Sequence, residues 1–134
     1  MGRPATFPFT PTSATQLRIG DVITVSRSDG RWGCLQVTDL KDSGTGSRTN
    51  LVVGVLPWVG DSLPDMAELA GVKVIQQGLT GIRIFTEGGA RVIGWFEPVP
   101  TGLPSSFRDF GVGRSTQVWG WRAALGRSEA LVPG

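Results

Sequence analysis

A chain of 134 residues with a formal net charge of +2 can build one core and is too short for two ordinary domains. With 40% hydrophobic residues it is no disordered tail, and its longest apolar run, residues 51–59, is too short to span a bilayer as a helix. There is no histidine and one cysteine, so the usual general base is missing, and neither an internal disulfide nor a His/Cys zinc site can be assembled.

Residues 1–16 carry three prolines among Thr and Ser and read as an irregular Pro-rich arm. They lack the apolar segment of a secretory signal, which makes a cytoplasmic location the expectation. The next stretch, residues 17–40, is a β-hairpin signal around Ser28-Asp29-Gly30. A two-residue loop would scatter the large aliphatic residues over both faces. A three-residue loop with Gly30 at positive φ pairs Ile23 with Leu35 and Val25 with Gly33, gathering Ile23, Val25, Leu35 and Val37 on one face. The second register is the expected one.

Residues 41–50 are polar and glycine-rich and read as a loop. Residues 51–56 read as a strand buried on both faces, with Gly54 at a bulge or close approach and Pro57 at its end. One short helix is expected over residues 64–70, capped by Asp61 or Ser62, ended by Gly71 and docked through Leu63, Met66 and Leu69. A strand at 72–75 then leads to a second expected hairpin over 81–95, turning at Gly88-Gly89 and pairing Ile84 with Ile93 and Ile82 with Trp95. Three prolines make residues 96–107 an extended wrap, residues 117–121 read as an edge strand, and a short helix starts at Arg122. The predicted fold is mainly β: a small, strongly bent antiparallel sheet or SH3-like barrel with one short α-helix, as one domain over 17–125 and a frayed tail over 126–134.

No catalytic constellation emerges. Asp39 with Asp42, Asp61 with Asp65, and Asp21 with Glu97 are carboxylate pairs, but each lies where loops and caps are ordinarily acidic. Residues 44–47 (Gly-Thr-Gly-Ser) lack the Lys of a P-loop and the spacing of a dinucleotide fingerprint. Cys34 reads as a buried structural thiol. No catalytic residue, metal site or cofactor is therefore expected. Two binding features stand out. Residues 39–68 are locally acidic, with Asp39, Asp42, Asp61, Asp65 and Glu68 against Lys41 and Arg48, and they contain Trp58. An aromatic anchor beside steering charge is what protein interfaces use, which nominates Trp58, Asp61 and Asp65 as partner-binding residues. The second feature is an Arg/Trp-rich end, with Arg108, Arg114, Arg122 and Trp119, where arginine can neutralise phosphate and aromatic rings can stack on bases. Its alternative is core closure by the aromatic rings, with the arginines in solvent.

The order of landmarks adds a resemblance. Residues 17–25 (Leu-Arg-Ile-Gly-Asp-Val-Ile-Thr-Val), the turn at 29–33 (Asp-Gly-Arg-Trp-Gly), residues 91–95 (Arg-Val-Ile-Gly-Trp) and the wrap to Leu103-Pro104-x-x-Phe107 resemble the immunity protein 26 family. Those are small bacterial proteins associated with polymorphic and contact-dependent toxin systems. The resemblance implies a non-enzymatic protein that neutralises a cognate toxin by occluding its active site. The sequence departs from that pattern in its Pro-rich arm and its Arg/Trp tail. Three readings stay open on the residues alone: an immunity-type binding protein, a small nucleic-acid-binding module, and an enzyme that works without histidine.

Overall fold

The computed structural model describes residues 7–41, 48–105, 107 and 116–132. Five strands, β1 (Asp21–Ser26), β2 (Trp32–Asp39), β3 (Asn50–Gly60), β4 (Gln77–Gly81) and β5 (Arg91–Trp95), form one antiparallel sheet in the order β4-β3-β2-β1-β5. Its edge strands do not pair with each other, so the protein is mainly β with an open sheet, and the barrel does not close. The helices are α1 (Met66–Leu69), α2 (Arg83–Thr86) and α3 (Trp121–Leu131), with a 3-10 turn at Ala14–Gln16.

The first hairpin has the expected register, with Ile23 opposite Leu35 and Val25 opposite Gly33. Gly30 sits at φ 84°, and the Arg27 N–H donates to the Arg31 carbonyl at 2.9 Å to close the loop. Strand alternation then sorts the side chains. On the first face Ile23, Leu35, Val53, Val55 and Val92 form a core with Ile84 and Phe85 of α2, Ala124 of α3 and Trp119. On the second face Val22, Cys34 and Leu56 pack with Leu69 of α1, Val74 and Phe96. A sheet covered on both faces needs strands that are apolar on both sides, which is why β3 reads as an unbroken apolar run over residues 51–56. Each fully buried large aliphatic side chain contributes about 1.5–3 kcal/mol.

The structure corrects several expectations. Pro57 does not end β3. The strand runs to Gly60, and the pairing steps from Cys34 with Leu56 to Gly33 with Val59, so Pro57 and Trp58 form a bulge in which the missing N–H of proline costs no ladder bond. The helix of residues 66–69 is shorter than expected and starts at Asp65, whose N–H donates to Glu68 Oε1 at 3.0 Å. Of its three expected contacts Leu69 is buried, Met66 is half-buried and Leu63 is exposed. Residues 72–75 form no strand; β4 starts at Gln77. The second hairpin does not form either. Its strands would be β4 and β5, which lie on opposite edges, about 19 Å apart at the usual strand spacing. The chain must cross the first face between them, and it does so through α2, with Ile84 buried in a helical turn instead of opposite Ile93. Residues 117–119 contribute only an isolated parallel bridge, Val118 with Leu79. Residues 126–131, expected to fray, are the second half of α3. Part of the Pro-rich arm is docked, with Phe9 bridging Val92 through backbone bonds of 3.0 and 2.9 Å and Ala14 buried.

Helix α3 is held at the first hairpin. Arg27 is buried, and its guanidinium donates to the carbonyl of Val132 (2.8 Å), just past the end of the helix, and to that of Ser128 (3.2 Å), which also accepts from the Val132 N–H at 2.8 Å. Glu129 accepts from the backbone N–H (2.9 Å) and the hydroxyl of Ser28. Small residues allow the approach: a Cβ on Gly33 would overlap Ser128 Oγ and lie 2.7 Å from Ser128 Cβ. Gly33→Ala is therefore expected to destabilise the protein by about 1–3 kcal/mol through overpacking. In a double-mutant cycle read by urea unfolding, Ser128→Gly should cost less in the Gly33→Ala background than alone; additive losses would show that the two residues do not share this contact.

The hydrogen bonds from Ser28, side chain first and then backbone, hold the Glu129 carboxyl below its ordinary pKa of 4.5. A group with a lowered folded pKa contributes stability above its unfolded value and loses it as pH falls through the folded one. Asp29 and Glu87 are lowered in the same sense. Unfolding free energy should therefore fall on acidification from about pH 5 to about pH 3, and the Glu129→Gln variant should show a shallower fall over that window. An unchanged acid slope in urea melts would exclude the clamp.

Candidate functional site

Trp58 is set by the bulge of β3. The extra residue turns the ring onto the second face, where it packs, half-buried, against the Leu56 and Leu69 cluster. Gly60 has no side chain in its way; a Cβ there would lie 2.6 Å from Trp58 Cζ2 and 3.3 Å from the Ser62 carbonyl, so ring and turn close around that glycine. Asp61, Ser62 and Leu63 follow directly and are exposed, with Leu63 at 42%. Asp65 and Glu68 are exposed at the start and end of α1. The structure thus gives Trp58 a fixed seat and keeps Asp61 and Asp65 at the surface.

The C-terminal residues separate. Trp119 is 2% exposed, closes the first core, and stacks on Gly78, whose Cβ would lie 2.6 Å from the indole. Its Nε1 donates to Gln117 Oε1 at 3.0 Å, and the Arg127 guanidinium lies 5.1 Å from its ring centroid. A ring buried in this way has no face left for a base. Arg122 is exposed and covers the half-buried Trp121 at 4.6 Å, with Arg83 5.7 Å from the same ring. Arg83 is in turn paired with Glu87 at 2.6 Å. Arg108 and Arg114 lie outside the described residues.

Of the carboxylate candidates, Asp21 is buried and accepts from the Arg18 N–H at 2.8 Å, Glu97 is exposed, and Asp42 lies outside the described residues, as do residues 44–47. Asp39 is buried, with Oδ1 accepting from the Leu40 N–H (2.9 Å) and Oδ2 from Ser105 Oγ (2.5 Å). Burial, with the Glu68 charge adding to it, pushes the Cys34 thiol up to about 12, which keeps it protonated and unreactive at neutral pH. Among the described residues no group of three or more His, Cys, Asp or Glu is placed to hold a metal, and no helix is long and apolar enough to cross a membrane.

The sequence reading missed a polar cleft of about 300 Å³ on the second face. Gln36 and Thr38 of β2 and Gln77 of β4 line it below, and the wrap over residues 98–105 lines it above. Gln36 Nε2 donates to the carbonyls of Phe96 (2.9 Å) and Gly20 (3.3 Å). Gln77 Nε2 does the same to Pro104 (2.9 Å) and Leu103 (3.4 Å). With Asp39 and Ser105 these bonds tie the wrap to the sheet. The signal was available: Gln36 and Thr38 interrupt the second face of β2, where residues buried by a lid of pure packing would be apolar.

No family model matches this chain, and no curated protein or solved structure matches it significantly.

Truncating the two tail residues separates core closure from a binding patch. Trp119→Ala is expected to lose about 3–5 kcal/mol of unfolding free energy, as a large-to-small change in a core, whereas Arg122→Ala should stay within about 0.5 kcal/mol of the parent in the same urea melts. A Trp119→Ala variant as stable as the parent would return that residue to the surface.

Proposed function

We propose that this chain is a non-enzymatic binding protein of the immunity type, which neutralises a cognate bacterial toxin by covering the toxin's active site. The observation that carries the reading is the seat of Trp58: an aromatic ring fixed by a bulge and a glycine on a rigid sheet, followed at once by exposed Leu63 and the carboxylates Asp61 and Asp65. A half-buried aromatic loses little conformational entropy on binding, and a rim of one sign of charge speeds the encounter with a basic partner. The net charge of +2 makes that attraction local, because the whole-molecule field would not favour a cationic partner. The order of landmarks shared with the immunity protein 26 family supports the same reading. The nucleic-acid alternative is weakened by the burial of Trp119, which removes a stacking ring from the Arg/Trp surface.

The test uses the purified protein and any toxin domain encoded by a neighbouring gene. Calorimetry should give a saturable one-to-one complex, and Trp58→Ala should weaken it by about 2 kcal/mol or more, roughly thirtyfold. Asp61→Asn with Asp65→Asn should slow association and reduce its salt dependence while leaving dissociation nearly unchanged. If instead the protein binds RNA or DNA with an affinity that falls steeply with salt and depends on Arg122, the nucleic-acid reading replaces this one.

A further inference from the structure

We infer that the cleft between β2, β4 and the wrap over residues 98–105 is a recognition site for an uncharged carboxamide group. Charged ligands are disfavoured by what lines it. Among the described residues around the cleft there is no Lys or Arg, so an anion finds no counter-charge. The one carboxylate, Asp39, is already engaged by the Leu40 N–H and the Ser105 hydroxyl among its partners, so it is no open seat for a cation. A charge that enters such a site loses hydration without an opposite charge to replace it. No aromatic ring of the described residues lines the cleft either, which removes the stacking platform a nucleobase would use. What remains is neutral hydrogen-bonding chemistry in about 300 Å³, the small end of ligand sites.

The sheet side of the cleft presents acceptors. Because the partners of Gln36 and Gln77 are all backbone carbonyls, which only accept, the NH₂ end of each amide must face them, and the amide oxygen is the end that remains. Among the described residues no donor reaches either oxygen, and neither oxygen is sealed from solvent, so each opens on the cleft that its side chain lines. Gln36 is only 1% exposed, which makes its oxygen an unpartnered acceptor on an otherwise buried side chain. The wrap presents donors. The Thr101 hydroxyl oxygen accepts from the Leu103 N–H at 3.2 Å and keeps its own proton to give. The backbone N–H groups of Val99, Thr101 and Gly102 are taken by no carbonyl or side chain of the described residues. A carboxamide answers both sides at once, its NH₂ toward the glutamine oxygens and its C=O toward the wrap. A carboxylate of the same shape would set its oxygens against those of the glutamines, and an ammonium would leave the wrap's donors without an acceptor. Val74 and Leu103 complete the lining and suit a short aliphatic stem. The glutamines are held at both ends, by their strands and by the carbonyls they bind, so the acceptors are in place before a ligand arrives. This inference does not depend on Trp58 or on the toxin reading. The carboxamide belongs to a free small molecule or to a glutamine side chain of a peptide, and the chemistry recognised is the same.

The experiment is a titration of the full-length protein, followed by backbone amide shifts in NMR. The probes are butyramide with its charged counterparts butyrate and butylammonium, and the blocked tripeptide acetyl-Ala-Gln-Ala-amide with its Glu counterpart. Saturable shifts at Gln36, Gln77 and Thr101 are expected with butyramide or with the Gln tripeptide, and about tenfold weaker binding or none with the matching charged probes. Tighter binding of butyramide identifies a small-molecule site, and tighter binding of the Gln tripeptide identifies a side-chain site. Thr101 is exposed, so Thr101→Val removes a donor without touching the core, and it should weaken the preferred probe by about tenfold. Gln77→Leu should give the same loss when its amide spectrum shows an intact fold, and Thr101→Val decides alone when it does not. Trp58→Ala should leave the affinity unchanged, which separates this site from the partner surface. Absence of saturation with both carboxamides, equal binding of a charged counterpart, or an unchanged affinity in Thr101→Val overturns the proposal.

Discussion

The buried guanidinium of Arg27 is the interaction on which the arrangement of this molecule depends. It sits at the base of the first hairpin turn and donates to two carbonyls at the end of α3, that of Val132 and that of Ser128, in a helix that starts about a hundred residues later in the chain. A charged group so enclosed would be costly unless its donors found partners, and a helix end needs donors for its last carbonyls. Each solves the other's deficiency. With Glu129 closing the opposite side on Ser28, the hairpin turn becomes the seat of the helix, and the helix covers the first face of the sheet.

Once α3 is seated, the chain's other choices follow from the need to cover both faces and both edges. The crossing from β4 to β5 runs beneath the first face and fills the space beside α3 with Ile84 and Phe85. Backbone bridges from Phe9 and Val118 lie along the two edge strands, where unpaired N–H and C=O groups would otherwise invite pairing with another chain. On the second face the cover is thinner. One four-residue helix and a proline-containing wrap lie over β2 and β3, held by side chains as much as by apolar packing. Glycines set the closeness of these covers: Val74 rests on Gly54 and Met66 on Gly94, where any Cβ would collide.

The sequence made the first hairpin legible because two independent constraints agreed. The alternation of Ile23, Val25, Leu35 and Val37 fixed the faces, and Gly30 fixed the turn. Gly54 was likewise readable as a close approach. The second hairpin failed because residues 82–85 (Ile-Arg-Ile-Phe) satisfy two periods at once: Ile82 and Ile84 alternate as in a strand, while Ile82 and Phe85 are three apart as in a helix. Only the strand order, a property of the whole sheet, decides between them. Helix α3 was hidden for a different reason. Its buried face, Trp121, Ala124, Leu125, Ser128 and Val132, has helical spacing, but Ser128 and Ala124 are there because the sheet comes close, and small residues do not register as an apolar stripe. Of the surface candidates, the exposure of Asp61 and Asp65 followed from their place beside a helix start, whereas the burial of Trp119 depended on Gly78, forty-one positions earlier.

The same architecture bears on where a partner can reach the molecule. A protein that added a strand would have to displace the bridges at Val92 or Leu79, and one that approached the first face would meet α3 locked through Arg27. The second face imposes neither requirement. Its cover is short, its polar groups are held in place by bonds to backbone, and it carries both the cleft at Gln36 and Gln77 and the ring of Trp58. Rigid support under a half-buried aromatic and under oriented amides reduces the ordering cost of binding, which is the condition under which a small contact surface gives useful affinity. A fold that spends its longest helix and the segments around Phe9 and Val118 on covering one face and two edges leaves the second face for the recognition proposed above without cost to the core.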